Sequence, residues 1–176
     1  DRSRMLVLGG STPGTPAGDV DIEKITIAST GEAVDFGGDL VTGVRGTEVV
    51  NDRTRAVAVR GEHSSGDNIM QYVTIQSGGD ATDFGDSAYA QSSVSKMSSP
   101  TRGVTGGRAG GTEIEYITIS TLGDASHFGD LTVRRRSSAA TSNAVRGIVF
   151  AGTLPSPSAY YQSMDLVTLA TLGNAQ

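Results

Sequence analysis

A chain of 176 residues with a net charge of −5, 36% hydrophobic residues and no cysteine can bury a sizeable core, yet it excludes several classes of function. Broad nucleic-acid binding needs a basic face, disulfides and thiolate metal sites need cysteine, and a membrane helix needs about 20 consecutive apolar residues. The 24 glycines, with aromatics at 5% and no tryptophan, suit short strands joined by tight turns, and the ordered apolar pattern argues against a disordered chain.

In chain order, the first expected strand is Arg4-Met5-Leu6-Val7-Leu8, ended by Gly9-Gly10 and followed by a polar loop over 11–21. A second strand centres on Ile25-Thr26-Ile27, with the isoleucines on one face and the threonine on the other. After a turn at Gly31, the stretch from Ala33 to Gly37 predicts a third strand carrying one large side chain, Phe36. A weaker strand fits within 40–53, and the series then begins again at Arg55. Later weak strands are expected within 87–100 and 131–144. The chain opens at Asp1 with no signal-peptide pattern, so a processed, shortened or incompletely traced N-terminus is expected.

Thr26, Thr74, Thr118 and Thr168 centre four copies of one phrase, spaced 48, 44 and 50 residues apart. Gly31, Gly79, Gly123 and Gly173 follow them by five residues, and Ala33, Ala81, Ala125 and Ala175 by seven. Phe36, Phe84 and Phe128 follow by ten, and the fourth copy stops before that position. Ile22, Met70, Ile114 and Met164 precede the threonines by four, and Arg4, Arg55, Arg102 and Arg146 open the strand before. No window sustains an apolar 3.6-residue period with caps, so no helix is expected. Four strands in a unit of about 47 residues is the arithmetic of a propeller blade. The expected fold is therefore all-β and propeller-like, a single repeat domain over 1–176. Its units fall near 1–40, 41–86, 87–130 and 131–176, the first and last blades being incomplete. A parallel β-helix is the rival architecture, although its coils are usually shorter.

These repeats resemble kelch-type blades, in which a strand ends in a glycine pair and a later strand bears an aromatic residue. Gly9-Gly10 and Gly106-Gly107 match the pair, and Phe36, Phe84 and Phe128 stand where kelch repeats typically carry tryptophan. The whole chain more closely resembles repeat proteins of tailed bacteriophages of marine and cyanobacterial hosts, as in TRGVTGGRAGGTEIEYITISTLGDASHFGDLTVRRR over 101–136. The resemblance implies a virion-associated structural or adhesion component.

Other motifs have simpler explanations. Asp35-Phe36-Gly37 and Asp83-Phe84-Gly85 spell a kinase tripeptide, but the repeat explains them and no other kinase motif accompanies them. Asp35, Asp39, Asp83, Asp86 and Asp130 cluster near that turn, where capping of backbone amides accounts for them better than calcium. His63 and His127 fall in different parts of the repeat, which favours exposed or turn positions over zinc or a triad. The GGRAGG stretch over 106–111 lacks the ending of a phosphate loop, and Arg134-Arg135-Arg136 is expected to be a solvated turn or edge-strand segment. The recurring arginines suggest a structural role, bonding carbonyls or aspartates between neighbouring blades, with a ligand-binding ring as the alternative.

Loops over 11–21, 62–68, 108–113 and 153–162 vary most, and binding specificity is expected there. Tyr160, Tyr161, His63 and Asp67 are the candidate binding residues, with packing of the last blade the alternative for the tyrosines. The expected function is a non-enzymatic structural component of a virion: a tail, fibre or capsid-decorating protein with no metal and no cofactor. Expected partners are other virion subunits, copies of this chain among them, and neither nucleic acid nor an inserted membrane. A host-surface or glycan-binding adhesin is the alternative, and a propeller glycan hydrolase or lyase is a third, for which no unique carboxylate pair stands out. For the incomplete ring, three outcomes compete: closure within the chain, completion by another chain, or membership of a longer polypeptide. Close packing or strand exchange with other subunits is the favoured outcome.

Overall fold

A computed structural model describes residues 3–11, 18–62, 68–89, 95–107, 111–154 and 160–176, with backbone alone at 60–62. Among the described residues there are thirteen strands and no helix, arranged in three antiparallel sheets. The first sheet orders β1 (Arg4–Leu8), β2 (Asp19–Thr26), β3 (Val34–Asn51), β4 (Arg55–Glu62), β5 (Ile69–Thr74) and β6 (Thr82–Asp86) as neighbours in sequence. β7 (Ser95–Ser98), β8 (Arg102–Gly106), β9 (Glu113–Thr118) and β10 (Ser126–Asp130) form a four-stranded meander. β11 (Ala139–Ser142), β12 (Arg146–Phe150) and β13 (Met164–Thr168) form the last sheet.

The full unit is a leading strand, an arginine strand, the threonine-centred strand and the phenylalanine strand; the first unit starts at the arginine strand β1 and the last sheet ends at the threonine strand β13. The register repeats as well, since Arg4 pairs with Thr26, Arg55 with Thr74, Arg102 with Thr118 and Arg146 with Thr168. The hairpin from leading to arginine strand is closed by a short polar side chain at its first corner. Asp52 Oδ1 accepts the amides of Thr54 and Arg55, Ser99 Oγ those of Thr101 and Arg102, and Asn143 Oδ1 those of Val145 and Arg146. Residues of this type satisfy turn amides that would otherwise stay unbonded.

β3 departs from this division by carrying the chain through the expected boundary at residues 40 and 41 without a break. Its first part pairs with β2, down to Asp19 opposite Val44, and its last part pairs with β4, from Arg45 opposite Glu62. β2 begins seven residues before its threonine, whereas β9 and β13 begin five and four before theirs. That extra length offers β3 a partner further along, so two units share one strand.

The core lies between units rather than within any of them. Leu8, Ile22, Phe36 and Leu40 pack on Ala56, Val73 and Ile75; Val57, Met70 and Phe84 pack with Ile117 and Ile119; Val104, Ile114 and Phe128 pack on Val167 and Leu169. Each cluster joins one unit to the next, face to face, as sheets pack in sandwiches.

Candidate interaction surfaces

The seams are built from one row of side chains on each sheet. Arg55, Tyr72 and Phe84 stand on three adjacent strands, the guanidinium 4.9 Å from the tyrosine centroid and the two rings edge to face at 5.9 Å. Arg102, Tyr116 and Phe128 repeat the row at 5.2 Å and 6.0 Å. In the first unit Lys24 takes the tyrosine position and lies over Phe36. Each arginine then reaches across: Arg4 Nη1 donates to the Ile75 carbonyl, Arg55 Nη1 to that of Ile119 and Arg102 Nη1 to that of Leu169, all within 2.9–3.0 Å. The acceptor is always the residue after the anchor threonine of the following unit.

Glycine sets how closely the sheets approach. A Cβ on Gly85 would fall 2.6 Å from the carbonyl carbon of Gly123, and Gly38 and Gly129 meet Gly79 and Gly173 in the same way. No side chain fits there, because the backbones themselves are bonded. Gly123 and Ala125 donate to Phe84 and Asp86, and Gly173 and Ala175 donate to Phe128 and Asp130. Asp80, Asp124 and Asn174 accept the amides of Asp39, Asp86 and Asp130 across the same line, while Asp35 Oδ1 accepts the Gly37 amide. A Cβ on Gly31, Gly79, Gly123 or Gly173 would itself meet nothing within 4 Å, so the close approach is felt at Gly38, Gly85 and Gly129.

A second polar link was not singled out in the sequence. Three residues before the anchor threonine stand Glu23, Gln71, Glu115 and Asp165, and the last three are buried. Gln71 holds Thr42 by both its amide and carbonyl groups, Glu115 holds Ser87 and Ala88, and Asp165 holds the Thr132 amide and hydroxyl. Each therefore pins the connection arriving from the preceding unit. The signal was a column of uniformly polar residues within an apolar strand.

The expected solvated run Arg134-Arg135-Arg136 is corrected at its centre. Arg134 and Arg136 are exposed, but the Arg135 side chain is fully buried and pairs with Asp165 at 3.1 Å. It also donates to the carbonyls of Ala151 and Ser163 and to the Ser163 hydroxyl, and it lies 5.4 Å from the Tyr161 ring. A buried guanidinium needs these partners, and only the fold brings them together. Tyr161 thus packs on the last unit, whereas Tyr160 is 88% exposed.

His63 and Asp67 lie outside the described residues, as do 12–17, 108–110 and 155–159 of the other variable loops. His127 is exposed on β10. A groove of about 760 Å³ crosses the hairpin tips of three units, lined by Asn51, Asp52, Ser98, Ser99, Ser142 and Asn143 among others. Its floor is a ladder in which the Asn51 amide bonds Ser98 Oγ and the Ser98 amide bonds Ser142 Oγ. Burial raises the Asp52 carboxyl, but bonds from the Arg55 and Thr54 amides and the Thr54 hydroxyl, with the charge of Arg55, outweigh it and hold the group below its ordinary value. Among the described residues no group of three or more metal-ligating side chains converges, and no helix is long and apolar enough to cross a membrane. No protein-family model matches the chain, and no curated protein does.

Proposed function

We propose that this chain is a non-enzymatic structural component of a bacteriophage particle, a tail, fibre or capsid-decorating protein whose sheets are kelch-like propeller blades. The observation that carries the scaffold reading is the seam repeated between successive units. Its arginines, buried polar residues and close-packed glycines are engaged in holding one unit to the next, which suits load-bearing more than chemistry. The four-stranded meander β7–β10, packed face to face on its neighbours, supports the blade reading. The particle assignment rests on the resemblance carried by residues 101–136. Its partners are accordingly other virion subunits.

Purified particles of a phage encoding this repeat, examined by peptide mass mapping and gold-labelled antibody, test the assignment. The expected result is the chain in fixed stoichiometry at a constant position on the particle. Its presence in the infected-cell lysate but not in purified particles would sink the proposal. Tyr160, exposed beside a variable loop, favours the adhesin as a second reading. That reading expects binding on an array of host-envelope glycans that Tyr160→Ala abolishes without lowering the melting temperature.

A further inference from the structure

The two outer faces of the stack expose, position by position, what the inner seams bury. One residue after the anchor threonine, Ile75, Ile119 and Leu169 are at most 4% exposed, whereas Ile27 is 57% exposed. Four residues before it, Ile22, Met70 and Ile114 are at most 1% exposed, whereas Met164 is 68% exposed. Two residues after the arginine, Val57 and Val104 are wholly buried while Ile148 is 37% exposed. Arg4, Arg55 and Arg102 each bond a carbonyl of the following unit, but Arg146 has no such acceptor among the described residues. The Ile27 carbonyl, the equivalent acceptor, receives no arginine among them.

One facing position differs between the inner seams and the outer faces. Within the stack, Val50 sits against Gly103 and Met97 against Gly147, a large residue facing a missing side chain. On the outer faces exposed Thr141 stands in the place of Val50 and Met97, and exposed Met5 in the place of the glycines. Threonine is about the size of valine and methionine far exceeds glycine, so a docked copy seats Met5 only with a local shift at this position.

We propose that the β11–β13 face of one copy docks head to tail on the β1–β2 face of a second copy. This contact forms a further seam in which Arg146 donates to the Ile27 carbonyl of the second copy. The inference extends the internal seam and stands apart from the virion assignment. Because the two faces differ, the contact is heterologous, giving a ring if the rotation closes and a filament if it does not.

Sedimentation of the 176-residue chain over about a hundredfold range of concentration tests it. The expected result is reversible, concentration-dependent association, weakened at least about tenfold by either Arg146→Ala or Ile27→Asp. Both residues are exposed, so the far-UV spectrum of the dilute protein stays unchanged. A covalent test is available because the chain has no cysteine. A Cβ on Gly103 lies 2.8 Å from that of Val50, and one on Gly147 lies 3.4 Å from that of Met97, close to the ~3.5–4.5 Å that a disulfide spans. The double variant Met5→Cys/Thr141→Cys should therefore oxidise to reducible oligomers longer than any dimer the single variants form. A monomer at every concentration with no reducible oligomer overturns the proposal. So does association that survives both surface substitutions, and so does a disulfide confined to monomers, in which the two faces would meet within one chain.

Discussion

Asp165→Ala strands a buried cation. Arg135 and Asp165 have side chains 0% and 1% exposed, and the carboxylate also accepts the Thr132 amide and hydroxyl. Deleting one member of such a pair typically costs about 3–5 kcal/mol, because the remaining charge keeps its desolvation penalty. Arg135 retains the carbonyls of Ala151 and Ser163, which places the expected loss near the lower end, about 3 kcal/mol. At about 2–4 °C per kcal/mol for a chain of this size, the melting temperature should fall by roughly 6–12 °C. Urea unfolding followed by far-UV circular dichroism measures the loss, and hydrogen exchange should place it in β11–β13 and the Thr132 connection. Asp165→Asn, which keeps an acceptor for Thr132, should fall between wild type and alanine. Arg135→Met/Asp165→Leu should recover most of the loss, since both desolvation penalties disappear together. The reasoning fails if Asp165→Ala costs under about 1 kcal/mol, or if the double variant is no better than the single one.

Three further outcomes follow from the seams and turns. Because the folded pKa of Asp52 is depressed, its contribution is full above the unfolded value of about 3.9 and is lost as pH falls through the folded value. Asp52→Asn keeps a turn acceptor, as Asn143 does, so urea midpoints measured against pH should show wild type losing on the acid limb a stability increment that the variant never has. Gly103→Ala should cost about 1–3 kcal/mol, because its Cβ meets the stiff, branched Val50; Val50→Ala/Gly103→Ala should restore much of it, and Gly147→Ala, facing unbranched Met97, should cost less. Arg102→Ala should lower stability by about 1.5–3 kcal/mol through its lost bond to Leu169, whereas Arg146→Ala should leave the dilute protein unchanged in chemical denaturation.

Much of the architecture could be read from the offsets alone. The columns of arginine, threonine, glycine, alanine and phenylalanine mark strands and turns, because a side chain packed into a seam, or a glycine held at positive φ as at Gly79, Gly123 and Gly173, must recur wherever the unit recurs. Phe36, Phe84 and Phe128 are each at most 3% exposed, and Ile75, Ile119 and Leu169 are buried beside them. The absence of helix among the described residues accords with the lack of any 3.6-residue period.

Partnership between units was not legible in that way. That Arg55 would reach Ile119, 64 residues away, depends on how one sheet is set upon another, and a linear pattern records only neighbours along the strand. Arg135 is the sharpest case: three consecutive arginines have the composition of a solvated turn, yet the middle one is buried because Asp165, Ala151 and Ser163 arrive from two later segments. The β3 continuity has the same origin, since strand length depends on the partner that β2 offers and not on β3 alone. Local pattern suffices where a residue's environment repeats with the chain. Where a charge or a strand end is stabilised by groups distant in sequence, only the packed structure decides, because the desolvation of a buried ion is compensated by whichever partners the fold delivers.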